Sequence, residues 1–321
     1  NTEQRVDLTL FSEKIQELKD RIASVIVGQE QTVDLVLTAI LANGHVLIEG
    51  VPGVAKTLLA RLTARLIDAD FSRVQFTPDL MPSDVLGTTV FNMKTNGFDF
   101  HQGPIFADIV LVDEINRAPA KTQAALFEVM EERQISIDGT THRMGDLYTI
   151  LATQNPVEQE GTYKLPEAQL DRFLMKITMD YPSLEEEVNI LERHHTNAAL
   201  VKLDDITPAI TKEELLSLRA FMNQVFVDRT LLQYIALIVQ QTRTSKAVYL
   251  GASPRASVAM LQSSKAYALL QGRDFVTPED IKFVAPYVLQ HRLILTAEAE
   301  MEGYSPVKVT QRLIDKVEVP K

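Results

Sequence analysis

Cysteine is absent from all 321 residues, so neither a disulfide framework nor a thiolate metal site can hold this fold or carry its chemistry. That suits a reducing compartment. Positive charge is in short supply: 43 acidic residues face 32 basic ones, a formal balance of −11 that repels a phosphate backbone unless the cations gather on one face. Nucleic acid is therefore not an expected partner. No stretch of about 18 uninterrupted apolar residues occurs, and the N-terminus has no basic segment followed by an apolar one. The expectation is a soluble, cytoplasmic protein with no membrane span. Internal repeats, low-complexity tracts and long like-charge blocks are also missing. At roughly 150 residues per domain, the length suggests about two domains and a sizeable core.

Phe11, Ile15, Leu18 and Ile22 recur at helical spacing, as do Val33, Val36, Leu37, Ile40 and Leu41 before Gly44. Two helices thus precede the first strand. Apolar runs then alternate with helical stretches: His45 to Glu49, a helix from Lys56 to Ile67, Arg73 to Phe76, Ile109 to Val112, and Leu147 to Thr153. Such alternation argues for a parallel sheet covered by helices, an α/β core. Two interruptions, near 80–103 and 134–145, carry turn signals at Asn96-Gly97 and Asp138-Gly139 and read as inserted β-hairpins. After Tyr181-Pro182 the strand signal fades. Thr211 and Glu214 form a capping box, and Ser253-Pro254 and Thr277-Pro278 open further helices. The expected division is a core over 1–196, a linker over 197–208 and an all-helical domain over 209–321.

Gly50-Val-Pro-Gly-Val-Ala-Lys56-Thr57 follows a strand and opens a helix, where a glycine-rich turn wraps backbone N–H groups around phosphates. Gly50, Pro52, Gly53, Val54, Ala55, Lys56, Thr57 and the adjoining Leu58 form the candidate phosphate site. Lys56 would neutralise β and γ phosphates, and Thr57 would ligate Mg²⁺. Ala55 stands where the general pattern has glycine, which is tolerable if that residue has negative φ. The apolar run ending at Val112 delivers Asp113 and Glu114 to the C-terminal edge of the sheet, where parallel sheets bind ligands. Asp113 would hold the Mg²⁺ shell, and Glu114 would orient or deprotonate an attacking water. Asn155 ends the next strand, where a neutral amide can hold that water; alone it would be an ordinary turn residue before Pro156.

Arg172, at a helix-to-strand junction, either projects into a neighbouring subunit's active site or forms a surface ion pair with Asp171. Arg255, in the first turn of a helix, would face the same anion as the helix's positive end, unless its placement is incidental. His194-His195 are read as solvated helix residues rather than metal ligands, because neighbours on a helix point about 100° apart. Phe91, Phe98, Phe100 and Phe106 are read as hairpin packing rather than a base-stacking platform, since no basic cluster accompanies them.

Together these residues resemble the AAA+ ATPases. Asp113-Glu-Ile-Asn-Arg117-Ala-Pro, Leu165-Pro-Glu-Ala-Gln-Leu-Asp-Arg172-Phe and the alanine at position 55 resemble the MoxR family specifically. Ile26-Val27-Gly28-Gln29 is similar to that family's adenine-side segment, and Ser253-Pro-Arg255 to its second sensor, so the likeness spans essentially the whole chain. The resemblance implies a five-stranded parallel core with two inserted hairpins and a helical lid, binding ATP and Mg²⁺. It further implies a ring, commonly a hexamer, with Asn155 as first sensor and Arg172 and Arg255 acting from the neighbouring subunit. Arg117 is left as an interface contact. ATP hydrolysis would drive chaperone-like remodelling, maturation or metal insertion of a client, often one with a von Willebrand factor A domain. Alternatives are a magnesium chelatase-like motor subunit, a nucleotide-gated adaptor with little turnover, and a nucleic-acid translocase.

Overall fold

The computed structural model describes residues 7–50, 55–154, 162–163, 165–196 and 203–320. Asp7 accepts hydrogen bonds from the Thr9 and Leu10 amides and so starts α1 (Leu8–Val25), which buries Phe11, Ile15, Leu18 and Ile22. Helix α2 (Glu30–Leu41) buries nearly its whole circumference, because it lies between the sheet and the C-terminal helices. The core continues as β1 (Val46–Gly50), α3 (Lys56–Leu66), β2 (Phe71–Gln75), α4 (Pro82–Leu86), β3 (Gly87–Asn92), β4 (Gly97–Gln102) and β5 (Ile109–Asp113). It closes with α5 (Ala120–Glu132), β6 (Gln134–Ile137), β7 (Thr140–Arg143), β8 (Thr149–Gln154), α6 (Glu167–Leu170), β9 (Met175–Met179) and α7 (Leu184–His195).

Five of these strands form a parallel sheet in the order β2-β5-β8-β1-β9. Strand β5 is buried at every position because helices cover both faces. Its side chains alternate between two apolar clusters: Ile109 and Leu111 join α1, α2 and α3, while Val110 and Val112 join α5. Strand β8 begins at Thr149 rather than Leu147, since the Tyr148 amide closes a turn onto the Gly145 carbonyl at 3.1 Å.

Both expected hairpins are present. The first is preceded by a short helix that the sequence reading did not separate: α4, opened by the Met81 amide donating to Asp84 at 2.8 Å. The second turns on Asp138 and Gly139, at φ 50° and 79°, a pair of left-handed residues that matches the twist of a two-residue hairpin. Phe100 and Phe106 pack on His142, with Phe100 4.4 Å from it, so the two hairpins lean together. Phe91 and Phe98 pair edge-on across the first hairpin at 5.3 Å.

The C-terminal part holds α8 (Lys212–Phe221), α9 (Arg229–Thr244), α10 (Pro254–Leu270), α11 (Pro278–Leu289), α12 (Ala297–Met301) and α13 (Pro306–Asp315). Thr211 and Glu214 cap α8 reciprocally, at 3.2 and 3.0 Å. A small antiparallel ribbon of β10 (Val248–Leu250) and β11 (Ile294–Leu295) departs from the all-helical expectation. One apolar cluster runs without a break from α1 and α2 into α8–α11. Arg219 of α8 caps the end of α2, donating to the Leu41 carbonyl at 3.3 Å and the Ile40 carbonyl at 2.5 Å. Among the described residues no helix is long and apolar enough to cross a membrane.

Candidate nucleotide site

Strands β1, β5 and β8 end side by side, and the candidate residues collect at their C-terminal edge. Lys56 is the first residue of α3, and its Nζ donates to the Gly50 carbonyl at 3.0 Å. Burial pushes the Lys56 pKa down, while the negative charges of Asp113 and Glu114 pull it back up. A cation placed this way is held ready for an anion. Gly50 leaves no room for a side chain, because a Cβ there would stand 2.7 Å from the Met179 carbonyl oxygen of β9. Ala55 has φ −71°, so its methyl group fits the turn without strain. Thr57 and Leu58 follow, half-buried, in the first turn of α3. Pro52, Gly53 and Val54 lie outside the described residues, as does Asn155.

Asp113 is buried and bound on both oxygens: Arg73 Nε donates to Oδ2 at 2.5 Å and Thr153 Oγ1 to Oδ1 at 3.2 Å. The same Thr153 oxygen accepts from the Glu114 amide at 3.0 Å, so β8 fixes both acidic residues. Glu114 sits at φ 54°, a left-handed conformation costly for a residue with a Cβ and typical of functional turns. Its Oε2 accepts from Gln75 Nε2 at 3.0 Å and from Arg117 Nη1 at 2.9 Å. Arg117, read from sequence as an interface contact, holds the glutamate of its own chain. Arg73, Gln75 and Thr153 were missed. Arg73 and Gln75 lie two apart on β2, hence on one face, and only the adjacency of β2 to β5 reveals their role.

Beside the start of α3 opens a cleft of about 340 Å³ lined by Ile26, Val27, Leu58, Pro182, Ile190 and His194, among others. Its mostly apolar walls and size suit a planar heterocyclic base. Gly28, at φ 75°, turns the chain below it, and a Cβ there would collide with the Glu186 carboxylate of α7. Arg193 ties α7 to the end of α1, donating to the Ser24 and Ala23 carbonyls at 2.8 and 3.0 Å.

Arg172 and Arg255 are not at this edge. Leu174 pairs with His45 ahead of β1, so the Asp171–Leu174 turn lies at the N-terminal edge of the sheet. At about 3.3 Å per residue, a five-residue strand places the two edges roughly 16 Å apart. Arg172 Nη1 donates to the Phe127 carbonyl at 2.8 Å and stands 3.3 Å from Glu131. Arg255 of α10 stands 3.8 Å from both Glu131 and Asp171. The alternative of an Arg172–Asp171 ion pair is corrected: Asp171 is taken by Arg292 at 2.7 Å, and Glu131 is the partner of Arg172. The structure therefore gathers the two arginines into one cluster, apart from the acidic pair and lysine of the same chain.

Comparison with known proteins bears on the fold and the family. Residues 45–175 match the model of the ATPase family associated with various cellular activities (AAA), and residues 240–315 match an AAA lid domain. The chain is 44% identical to "Chaperone MoxR1" of Mycobacterium tuberculosis, over 94% of this chain and 81% of that one. It is 30% identical to "Protein MoxR" of Methylorubrum extorquens, over 92% and 91%. An uncharacterised Bacillus subtilis protein, YeaC, shares 47% identity over 94% and 93%. A crystal structure of a protein assigned as an ATPase, from Cytophaga hutchinsonii, superposes with TM-score 0.89 at 40% identity, covering 98% of this chain and 97% of that one.

Proposed function

The chain belongs to the MoxR family of AAA+ ATPases, and from that premise we propose that it hydrolyses ATP with Mg²⁺ in a ring, at sites shared between neighbouring subunits. Val27, Gly28 and Leu58 hold the base, and Gly50, Pro52, Gly53, Val54 and Ala55 present the backbone that wraps the phosphates. Lys56 exchanges its bond to the Gly50 carbonyl for the β and γ phosphates. Thr57, together with Asp113 once it gives up Arg73, would hold the magnesium ion, which would supply positive charge to the phosphates. Glu114 releases Gln75 and Arg117 to orient the attacking water and accept its proton, and Asn155 is the proposed first sensor, contributing its amide to that water. Arg172 and Arg255 of the next subunit supply positive charge to the γ phosphate as it leaves.

A single observation carries the shared-site reading: the two arginines lie a full strand length from the lysine and acidic pair of their own chain, yet close to each other. Their separation from the lysine and acidic pair of their own chain supports a role at a neighbour's site. The lid packs on α1, α2 and β9, and in this proposal the two hairpins pass the opening and closing of the shared site on to a client. Its work is chaperone-like remodelling of a protein client, a reading supported by the chaperone name of one relative. A hexamer is the expected ring, and clients with von Willebrand factor A domains, matured with or without metal insertion, are the first to try. Arg172→Ala tests the scheme. In assembled protein at saturating Mg-ATP it should lower turnover by about 10³-fold or more, the scale of arginine fingers elsewhere, while nucleotide still binds. Turnover equal to that of the parent chain in the assembled state would exclude a shared site.

A further inference from the structure

A row of polar side chains crosses the C-terminal edge of the sheet and draws on every strand. Arg73 of β2 holds Asp113 of β5, and Thr153 of β8 holds it from the other side. Gln154 of β8 then donates to Glu49 Oε2 of β1 at 2.7 Å. The same Glu49 oxygen stands 2.8 Å from Lys176 Nζ of β9. The Lys176 carbonyl in turn accepts from Gln290, at the end of lid helix α11. Neighbours on a strand point to opposite faces, so the row lies on the α3 face as far as Thr153 and on the α5 face from Gln154 onward.

Packing alone does not call for Glu49. Leu47, on the same face of β1, is apolar and fully buried. The Lys176 and Glu49 side chains are only 22 and 20% exposed, and an ion pair so far withdrawn from water adds little stability over apolar side chains of like volume. The place is also unfavourable for an acid. Glu49 stands one residue before Gly50, whose carbonyl anchors Lys56, and a carboxylate there repels phosphate unless its charge is balanced. Lys176 balances it, as the ion-pair partner of Glu49 among the described residues. His291 also feels the Lys176 charge, but burial keeps that imidazole neutral, so it does not compete for the cation.

What the carboxylate supplies is position. The pairing of β1 with β8 ends at Glu49 and Gln154, and Gly50, where the phosphate turn begins, has a partner on β9 but none on β8. The bond from Gln154 to Glu49 therefore closes the end of that ladder. Strand β8 lies between β1 and β5, and its Thr153 fixes both Asp113 and Glu114. The spacing between Lys56 and the acidic pair thus passes through β8. Resting on the ATP hydrolysis proposed above, we infer that Glu49 is a positioning residue for that reaction: its carboxylate, balanced by Lys176, holds the end of β8 against β1 and so sets the distance from the phosphate turn to the acidic pair.

The test compares the full parent chain with Glu49→Leu and with an exchange, Glu49→Gln together with Gln154→Glu, which keeps one carboxylate and one amide in the same place beside Lys176. Hydrolysis at saturating Mg-ATP should be about 10- to 100-fold slower in Glu49→Leu, the scale of reacting groups misplaced by about an ångström. Nucleotide affinity, read by isothermal titration, should not fall in that variant, because removing a carboxylate beside an anion site does not weaken the site electrostatically. The exchange should bring hydrolysis back to within about threefold of the parent, since it restores both the hydrogen bond and the charge pair. Parent-like hydrolysis in Glu49→Leu, a joint loss of rate and affinity, or an exchange as slow as Glu49→Leu would each overturn the inference. A parent chain that binds Mg-ATP and never hydrolyses it would overturn the proposed function, and this inference with it.

Discussion

Glu114 is the residue whose geometry says most about chemistry. It holds a left-handed backbone at φ 54°, its amide is bound to Thr153, and its carboxylate is occupied by Gln75 and Arg117. Strain of about 1–3 kcal/mol in such a conformation persists only where its surroundings enforce it, and here β2, β8 and the following turn all do so. Glu114→Gln keeps the shape and removes the base. Single-turnover assays should show ATP bound with hydrolysis slowed by about 10²- to 10⁴-fold, the range of a lost general base. A client would then stay trapped, whereas an adaptor that merely senses ATP would keep its partner cycle. The places of Lys56, Thr57, Asp113 and Glu114 were legible in sequence because each stands at the end of a strand or the start of a helix. Arg73 and Thr153 were not, because their meaning depends on which strands become neighbours: β2 and β8 flank β5 only in the folded sheet order.

Elements with strong local chemistry were readable, and short ones were not. Asp138-Gly139 forced a hairpin, and Thr211 with Glu214 fixed the start of α8, since each relies on backbone bonds within a few residues. Helix α4 and the β10–β11 ribbon, only a few residues long, carry too little periodicity to declare themselves. Helix α1 was legible as a helix but not as a joint. Its apolar side touches α2, α3 and α10, so it binds the sheet domain to the lid. Leu18, with no exposed surface, sits in that seam. Leu18→Ala should lower the unfolding free energy by about 2–5 kcal/mol, the cost of a buried leucine cavity, measured by urea titration. A loss below about 1 kcal/mol would mean that the seam bears little of the fold's stability.

At the scale of the whole molecule, two buried histidines tie layers together and set an acid limit. His45 accepts from the Ile150 amide at 2.9 Å and donates to the Met130 carbonyl at 3.1 Å; burial, then the charge of Arg133, lowers its pKa to about 3. His291 of the lid donates to the Phe173 carbonyl at 2.8 Å, and burial with the adjacent Arg292 charge holds it well below its ordinary value. Both are neutral when folded and take up protons more readily when unfolded. Their contribution is therefore complete above about pH 6.5 and is lost as pH falls below it, down to about 3 for His45, at up to about 1.4 kcal/mol per pH unit for each group. Melting temperatures across that window should fall with acid, and His291→Gln should make the fall shallower; an unchanged slope would dismiss His291 as a contributor. The placement of the lid was not legible, because an amphipathic helix announces an apolar side without naming what covers it. What the molecule does depends first on Lys56 gripping a triphosphate beside Asp113. Isothermal titration with Mg-ATP measures this directly: the parent chain should take up nucleotide, and Lys56→Ala should bind about ten- to a hundredfold more weakly, the worth of a charge-assisted hydrogen bond. No uptake by the folded parent, or equal uptake by both chains, would contradict it.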